Sequence, residues 1–353
     1  MIPLHKAALA VPGSITTLTG GFIYDRHLLE GLRDAGRDVE LIELSGGFPD
    51  PTPEECEAAF ERLAKVPKDR IVILDGLALG SLPTQGFARI GAAIVAMIHH
   101  PLAHEGGLEP TTKDRLFRTE RDNLRLARHV LVPSPHTRAI LIKEYGVPPK
   151  AITVARPGTN RPVDLRRDPA SPPLILSVGN LLPRKGHDIL VTALAQIADL
   201  DWQAAIVGTP LDPSCAADLG RRIDESGLSS RIQMPGRLMA EELQAHYRRA
   251  SIFALATRYE GYGIVFDEAL LHGLPIVSTL TGAVPDTVPG DAGILVPCDD
   301  AKALASALRQ LLTDHASYAR MSEAAALAGA ALPGWDETAR IAGTALDGIA
   351  LPA

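Results

Sequence analysis

Cysteine is scarce in this chain of 353 residues. Cys56, Cys215 and Cys298 are odd in number, scattered and without metal-ligand spacing, which reads as small incidental thiols in a reducing compartment. Long hydrophobic runs are also missing. The longest, 90–98, has nine residues, against the ~20 needed to span a bilayer. No leader is legible, because His5-Lys6 is followed by only five apolar residues before Pro12-Gly13. There is no basic excess: the net charge of −7 opposes a general nucleic-acid binder. A Gly-x-Gly-x-x-Gly fingerprint is absent after the first strand, where Pro12-Gly13-Ser14 stands, and this counts against a nicotinamide dehydrogenase. Charged residues at 22% and hydrophobic ones at 46% fit a globular cytoplasmic enzyme, and the length suggests two domains.

Short apolar runs alternate with amphipathic stretches, the pattern of parallel sheets wrapped by helices. Strands are expected at 7–11, 39–44, 71–74, 92–98 and 129–132, with helices at 22–35, 111–128 and 136–145. Arg156-Pro-Gly-Thr-Asn-Arg-Pro162 and Asp168-Pro-Ala-Ser-Pro-Pro173 read as an interdomain linker. A second series then begins. Its strands are expected at 174–178, 202–207, 231–234, 252–256, 276–278 and 293–296. Its helices are expected at 188–198, 240–249, 264–271 and 301–312, with a last one opening at Trp335. Two doubly wound domains would place a cleft at the carboxyl ends of both sheets.

The densest chemistry lies in Arg258-Tyr-Glu-Gly-Tyr-Gly-Ile-Val-Phe-Asp-Glu-Ala-Leu-Leu-His-Gly-Leu-Pro275. Glu260 precedes a Gly-Tyr-Gly turn, and Glu268 lies in the helix that follows. Gly261 and Gly263 leave backbone N–H groups open to an anion at the positive helix end. Acids beside such amides suit a ligand carrying hydroxyls and phosphates, as a nucleotide sugar does. The plainer alternative is a helix with solvated acids.

This stretch resembles the Glu-(seven residues)-Glu motif of family-four retaining glycosyltransferases. Other pieces are similar to that family in the same order. They are Leu18-Thr-Gly-Gly21, Tyr145-Gly-Val-Pro with Ile152-Thr-Val-Ala-Arg-Pro-Gly158, Ser177-Val-Gly-Asn-Leu-Leu-Pro-Arg-Lys-Gly-His-Asp188, Gly282-Ala-Val-Pro-Asp286, and Trp335 onward. The resemblance implies an α/β fold of GT-B type, with two doubly wound Rossmann-like domains facing across a cleft. An acceptor-side domain at 1–165, a donor-binding domain at 166–334 and a helix at 335–353 crossing back to the first are expected. It implies that Glu268 accepts hydrogen bonds from ribose hydroxyls and that Glu260 holds a donor-sugar hydroxyl. The amides of Tyr262, Gly263 and Ile264 are expected to face the sugar or diphosphate, and no side chain serves as nucleophile.

Glycosyl transfer leaves a diphosphate with growing negative charge, which calls for electrostatic stabilisation. Arg184 and Lys185 follow a strand near Gly179 and Asn180, where they can reach a diphosphate; a solvated surface pair is the plainer reading. Lys185 matches the family's lysine. Asn180 stands where the family usually has arginine, and Arg184 is placed to supply that charge. Gly20 and Gly21 are expected to precede the first helix and to let amides reach a phosphate or the acceptor. His99 follows a strand and lines up with the family's cleft histidine, able to bond a sugar hydroxyl or move a proton. His100 and His104 are less favoured.

Asp199-Leu-Asp201 lies before a strand and reads as loop acids, so no metal and no cofactor beyond the sugar nucleotide is expected. Arg118, Arg121, Arg125 and Arg128 fall on one helix side, a stripe that could rest on an acidic membrane at the inner face, although a solvated face fits better. Expected partners are a nucleotide sugar and a glycan, lipid-linked or small-molecule acceptor, with no nucleic acid. The alternatives are a non-catalytic sugar-nucleotide binder or a GT-B epimerase or phosphorylase.

Overall fold

The apolar runs become strands covered on both faces. The computed structural model describes residues 4–352, and the chain divides into two compact units. One comprises Met1–Gly158 with Pro333–Ala353, the other Thr159–Leu332.

In the first unit the order is β1 (Lys6–Pro12), α1 (Gly20–Asp34), β2 (Val39–Leu44), α2 (Pro53–Ala64), β3 (Arg70–Asp75), α3 (Gly76–Leu79), β4 (Ala93–Met97), α4 (Pro110–Leu124), β5 (His129–Val132), α5 (Pro135–Lys143) and β6 (Ile152–Val154). The strands form a six-stranded sheet in the order β2-β1-β3-β4-β5-β6, every pair parallel. Alternate side chains enter opposite clusters, as a two-fold side-chain period requires. Ala8, Ala10, Val72 and Leu74 pack with Phe60 of α2 and Leu124 of α4. Ala7, Leu9, Ile71 and Ile73 pack with Tyr24, Leu28 and Leu32 of α1.

The second unit runs β7 (Leu174–Val178), α6 (His187–Ala195), β8 (Gln203–Val207), α7 (Pro213–Glu225), β9 (Ile232–Gly236), α8 (Ala240–Arg249), β10 (Ala250–Leu255), α9 (Ile264–Leu271), β11 (Ile276–Thr279), α10 (Val284–Thr287), β12 (Gly293–Val296), α11 (Ala301–Thr313) and α12 (His315–Ala330). Its sheet has the order β12-β11-β10-β7-β8-β9, again all parallel. One face carries Leu190 and Leu194 of α6 and Leu304 and Leu308 of α11. The other carries Tyr247 of α8 and Phe266 and Leu270 of α9.

Helix α13 (Trp335–Asp347) belongs to the first unit. Ala342 and Leu346 join the α1 cluster, and the buried Arg37 guanidinium donates to Gly343 O at 3.1 Å and Asp347 Oδ1 at 2.9 Å. Trp335 meets Tyr24 edge-on with ring centroids 5.7 Å apart.

Several expectations need correction. Gly20 and Gly21 do not precede α1 but open it, because Thr19 takes the extended N-cap backbone. Helix α4 stops at Leu124, not at 128, so Arg128 lies beyond it. The arginine stripe agrees with the favoured solvated face: Arg118 bonds Asp114 at 3.0 Å, and Arg121 and Arg125 bond Asp122 at 3.0 and 3.2 Å. Helix α6 likewise ends at Ala195, short of the expected 198. Helices α2, α7 and α12 were not anticipated. No helix among the described residues is long and apolar enough to cross a membrane.

Candidate active site

Strands β7 and β10 are hydrogen-bonded neighbours in the middle of the second sheet. The chain leaves them in opposite directions along the sheet, toward β8 and toward β11. Such a switch point opens a crevice at the carboxyl ends of the strands. The loop after β7 carries Gly179, Asn180, Arg184 and Lys185, and the loop after β10 carries Thr257 to Gly263.

These loops interlock. Arg258 N donates to Arg184 O at 2.7 Å, and Arg184 Nη1 donates to Tyr259 O at 2.9 Å. Their charged ends meet at Glu260, which is only 5% exposed. Lys185 Nζ lies 2.6 Å from Glu260 Oε1, and Arg184 Nη1 lies 3.7 Å from Glu260 Oε2. Thr257 Oγ1 donates to Glu260 Oε1 at 3.2 Å. Burial opposes ionisation of this carboxyl, but the charges of Lys185 and then Arg184 outweigh it and hold Glu260 below the usual range. Two cations thus face one buried carboxylate at the switch point. The Lys185 stem packs on Gly179, where a Cβ would stand 3.3 Å from Lys185 Cδ. Asn180 is turned to a structural task, its Oδ1 accepting from Thr209 N at 3.3 Å.

Gly263 has φ of 90° and caps the start of α9, a conformation that glycine adopts without strain. It has no side chain to bond the first amides of the helix, and Gly261 and Ile264 flank the same turn. Tyr262 is buried, its hydroxyl donating to Asp267 Oδ2 at 2.7 Å. Glu268 is placed differently from Glu260. It is partly exposed and accepts from the Tyr247 hydroxyl at 2.7 Å, while its desolvated setting raises its pKa.

In the first unit the switch point lies between β1 and β3. Gly21, at the start of α1, approaches His99 so closely that a Cβ there would stand 3.1 Å from His99 Cδ2. His99 Nε2 lies 3.1 Å from Asp25 Oδ1 and 3.4 Å from Asp75 Oδ2. The ligand-type atoms of these three side chains all lie within 4.8 Å of one another, and the one ring nitrogen faces both carboxylates. His100 and His104 pair elsewhere, with Glu105 and Glu144. The loop acid Asp199 pairs with Arg309 on the surface, and Asp201 is exposed.

Thr257, Tyr247, Asp25 and Asp75 are the site residues that reading the sequence missed. Asp75 closes an apolar strand and Thr257 follows one, which is the available signal; Asp25 and Tyr247 sit inside helices and give none.

Two doubly wound units, with this cluster at the switch point of the second, define a glycosyltransferase of the GT-B class. The family model "Glycosyl transferases group 1" matches residues 166–327, and "Glycosyltransferase Family 4" matches residues 71–161. The chain is 32% identical to a D-inositol 3-phosphate glycosyltransferase of Corynebacterium aurimucosum, over 92% of this chain and 90% of that one. It is 31% identical to a GDP-mannose-dependent alpha-(1-6)-phosphatidylinositol monomannoside mannosyltransferase of Mycolicibacterium smegmatis, covering 70% and 67%. Sucrose-phosphate synthase from Thermosynechococcus elongatus superposes with a TM-score of 0.78 at 25% identity, covering 96% of this chain and 98% of that one. The chain belongs to the group 1, family-four glycosyltransferases, and it is a hexosyltransferase-type enzyme.

Proposed function

We propose that the protein moves a hexosyl group from a nucleoside-diphosphate sugar to a hydroxyl acceptor, with retention at the anomeric carbon and without a metal ion. The convergence of Arg184 and Lys185 on Glu260 carries this reading. A departing diphosphate needs a fixed countercharge that strengthens as the bond breaks. Lys185, with Arg184 beside it, is suited to supply it, and the buried carboxylate keeps the lysine ordered. Glu260 is then placed to hold a hydroxyl of the donor sugar. Glu268, steadied by Tyr247, is suited to the ribose hydroxyls, and the first amides of α9 to an anionic oxygen.

Related enzymes are named for a GDP-mannose donor and for inositol-type acceptors, one of them lipid-linked. A polyhydroxyl acceptor, free or lipid-linked, fits this relationship. Three unpaired cysteines suit work in the reducing cytoplasm, at its membrane surface if the acceptor is lipid-linked.

Thermal denaturation with UDP, GDP, ADP or NAD, each with and without EDTA, tests the reading. One nucleoside diphosphate is expected to stabilise the protein equally in both conditions, and NAD is not. A shift that vanishes with EDTA and returns with Mn²⁺ would refute the metal-independent mechanism. A panel of sugar nucleotides, read by nucleotide release, then identifies the donor.

A further inference from the structure

We propose that Asp25 and Asp75 are positioning residues that hold His99 as an imidazolium, so that His99 acts as a fixed cationic hydrogen-bond donor to a substrate oxygen and not as a base. This rests on the glycosyltransferase reading above.

The topology builds the trio. Strands β3 and β4 are neighbours, with Asp75 opposite Met97 in register. Two residues beyond Met97, the chain brings the His99 ring beside the Asp75 carboxylate. Helix α1 covers the ring from another side and lays Asp25 against it, one turn after Gly21. The close approach of Gly21 to the ring edge would put a Cβ there in tight contact with it, so a side chain at 21 would press on the ring. A single nitrogen, Nε2, therefore faces two carboxylate oxygens, at 3.1 and 3.4 Å.

Both aspartates are almost wholly buried, Asp25 at 1% and Asp75 at 3% exposure. Two buried carboxylates cannot both stay ionised this close together without a cation between them. Imidazolium supplies that cation through Nε2–H. Its second proton then sits on Nδ1, at a different position on the ring. The His99 side chain is 19% exposed, which makes the ring the part of the trio that a ligand can reach.

The other groups around the ring do not undo this. Tyr24 of α1 meets it edge-on at 5.3 Å between ring centroids. Its hydroxyl donates to Ala155 O at 2.9 Å, and burial pushes its pKa far up, so it stays a neutral phenol. His100, next in the chain, pairs with Glu105 at 2.8 Å. Burial of His99 acts against its charge, but Asp25 and then Asp75 outweigh this and raise it well above the usual histidine range. Burial raises Asp25 as well.

The full chain carrying ¹⁵N-histidine gives the direct test, by NMR titration of the ring nitrogens without substrate. At pH 8, where an ordinary histidine is neutral, His99 is expected to show both nitrogens protonated. Asp25→Asn should move its midpoint down by at least ~2 pH units. Asp75→Asn should move it the same way and serves as the second variant should the first fail to fold. In kinetics, wild-type kcat is expected to be level from pH 6.5 to 8.5. Asp25→Asn should be near wild type at its most acidic measurable pH and about tenfold or more slower at pH 8, with donor KM within about twofold.

A wild-type His99 midpoint near the ordinary ~6.5 overturns the proposal. So does a midpoint that neither Asn variant moves. Stoichiometric Mn²⁺ or Zn²⁺ binding that removes the imidazolium signal also overturns it, making the trio a metal site. Because the titration needs no donor or acceptor, its outcome stands apart from whether the protein transfers sugar: loss of transfer by wild type would refute only the functional reading.

Discussion

Replacing Lys185 by methionine keeps the aliphatic stem over Gly179 and removes one charge. At 2.6 Å from Glu260, the gross attraction is about 6 kcal/mol at an effective dielectric of ~20. Much of that only offsets desolvation of the two ions. The measurable loss is dominated by stranding Glu260, 5% exposed, without its nearest partner. Breaking a buried pair in this way costs about 3–5 kcal/mol. Arg184, still 3.7 Å away, should trim this to about 2–4 kcal/mol. For a domain of this size, ~2–4 °C per kcal/mol gives a fall in Tm of roughly 4–16 °C.

Two further measurements separate this cause from a general packing defect. Lys185→Met with Glu260→Gln should recover most of the stability, because the stranded charge is gone, yet remain inactive. The pH dependence has a definite sign. In wild type the Glu260 pKa is lowered, so its stabilisation is present above the unfolded value of ~4.3 and is lost as pH falls through the folded value. In Lys185→Met burial dominates and raises that pKa, so the penalty is full at pH 7–8 and shrinks as acid protonates the carboxyl. The gap between the two proteins should therefore narrow toward pH 5, by calorimetry or urea denaturation. A loss below ~1 kcal/mol at pH 8 would match a solvated surface pair and refute this account, as would a double variant less stable than the single one.

Other outcomes follow from the same geometry. Lys185→Ala should lower turnover by about a hundredfold or more, since a donor aimed at developing charge contributes at that level; steady-state kinetics checks it. Arg184→Ala should cost less, because Lys185 makes the shorter contact with Glu260. Glu268→Ala should chiefly raise donor KM, whereas Glu260→Ala should chiefly lower kcat; equal loss of turnover with unchanged KM would contradict the assignment. Glu120 is fully buried, and desolvation lifts its carboxyl to about 8. Its raised folded value means that stability falls as pH rises from ~4.3 toward that value. Glu120→Gln should flatten the decline in Tm between pH 5 and 8, and a wild-type slope left intact would refute the shift.

The sequence by itself determined the local pieces. Runs such as Leu174–Val178 and Ala93–Met97 are apolar at nearly every position, which marks them as strands covered on both faces. The glycine at 263 and the apolar run after it marked the start of α9, and placed Glu260 before that helix and Glu268 within it. Some local signals were present but unread: Thr52-Pro-Glu-Glu55 forms a capping box that opens α2. The alanine-rich α12 showed no clear apolar stripe, because alanine marks neither face of a helix strongly.

Only the tertiary structure decided which distant residues meet. Lys185 and Glu260 are 75 positions apart, and nothing local says that β7 lies beside β10 and not only beside β8. Sheet order is chosen by the joint burial of both faces under their helices, a property of the whole unit. Asp25 and His99 are 74 positions apart and depend on the same kind of choice. Asp25 reads locally as a polar residue on a surface helix. It becomes a buried carboxylate because α1 packs that face over the ends of β3 and β4, where only a cation can accompany it.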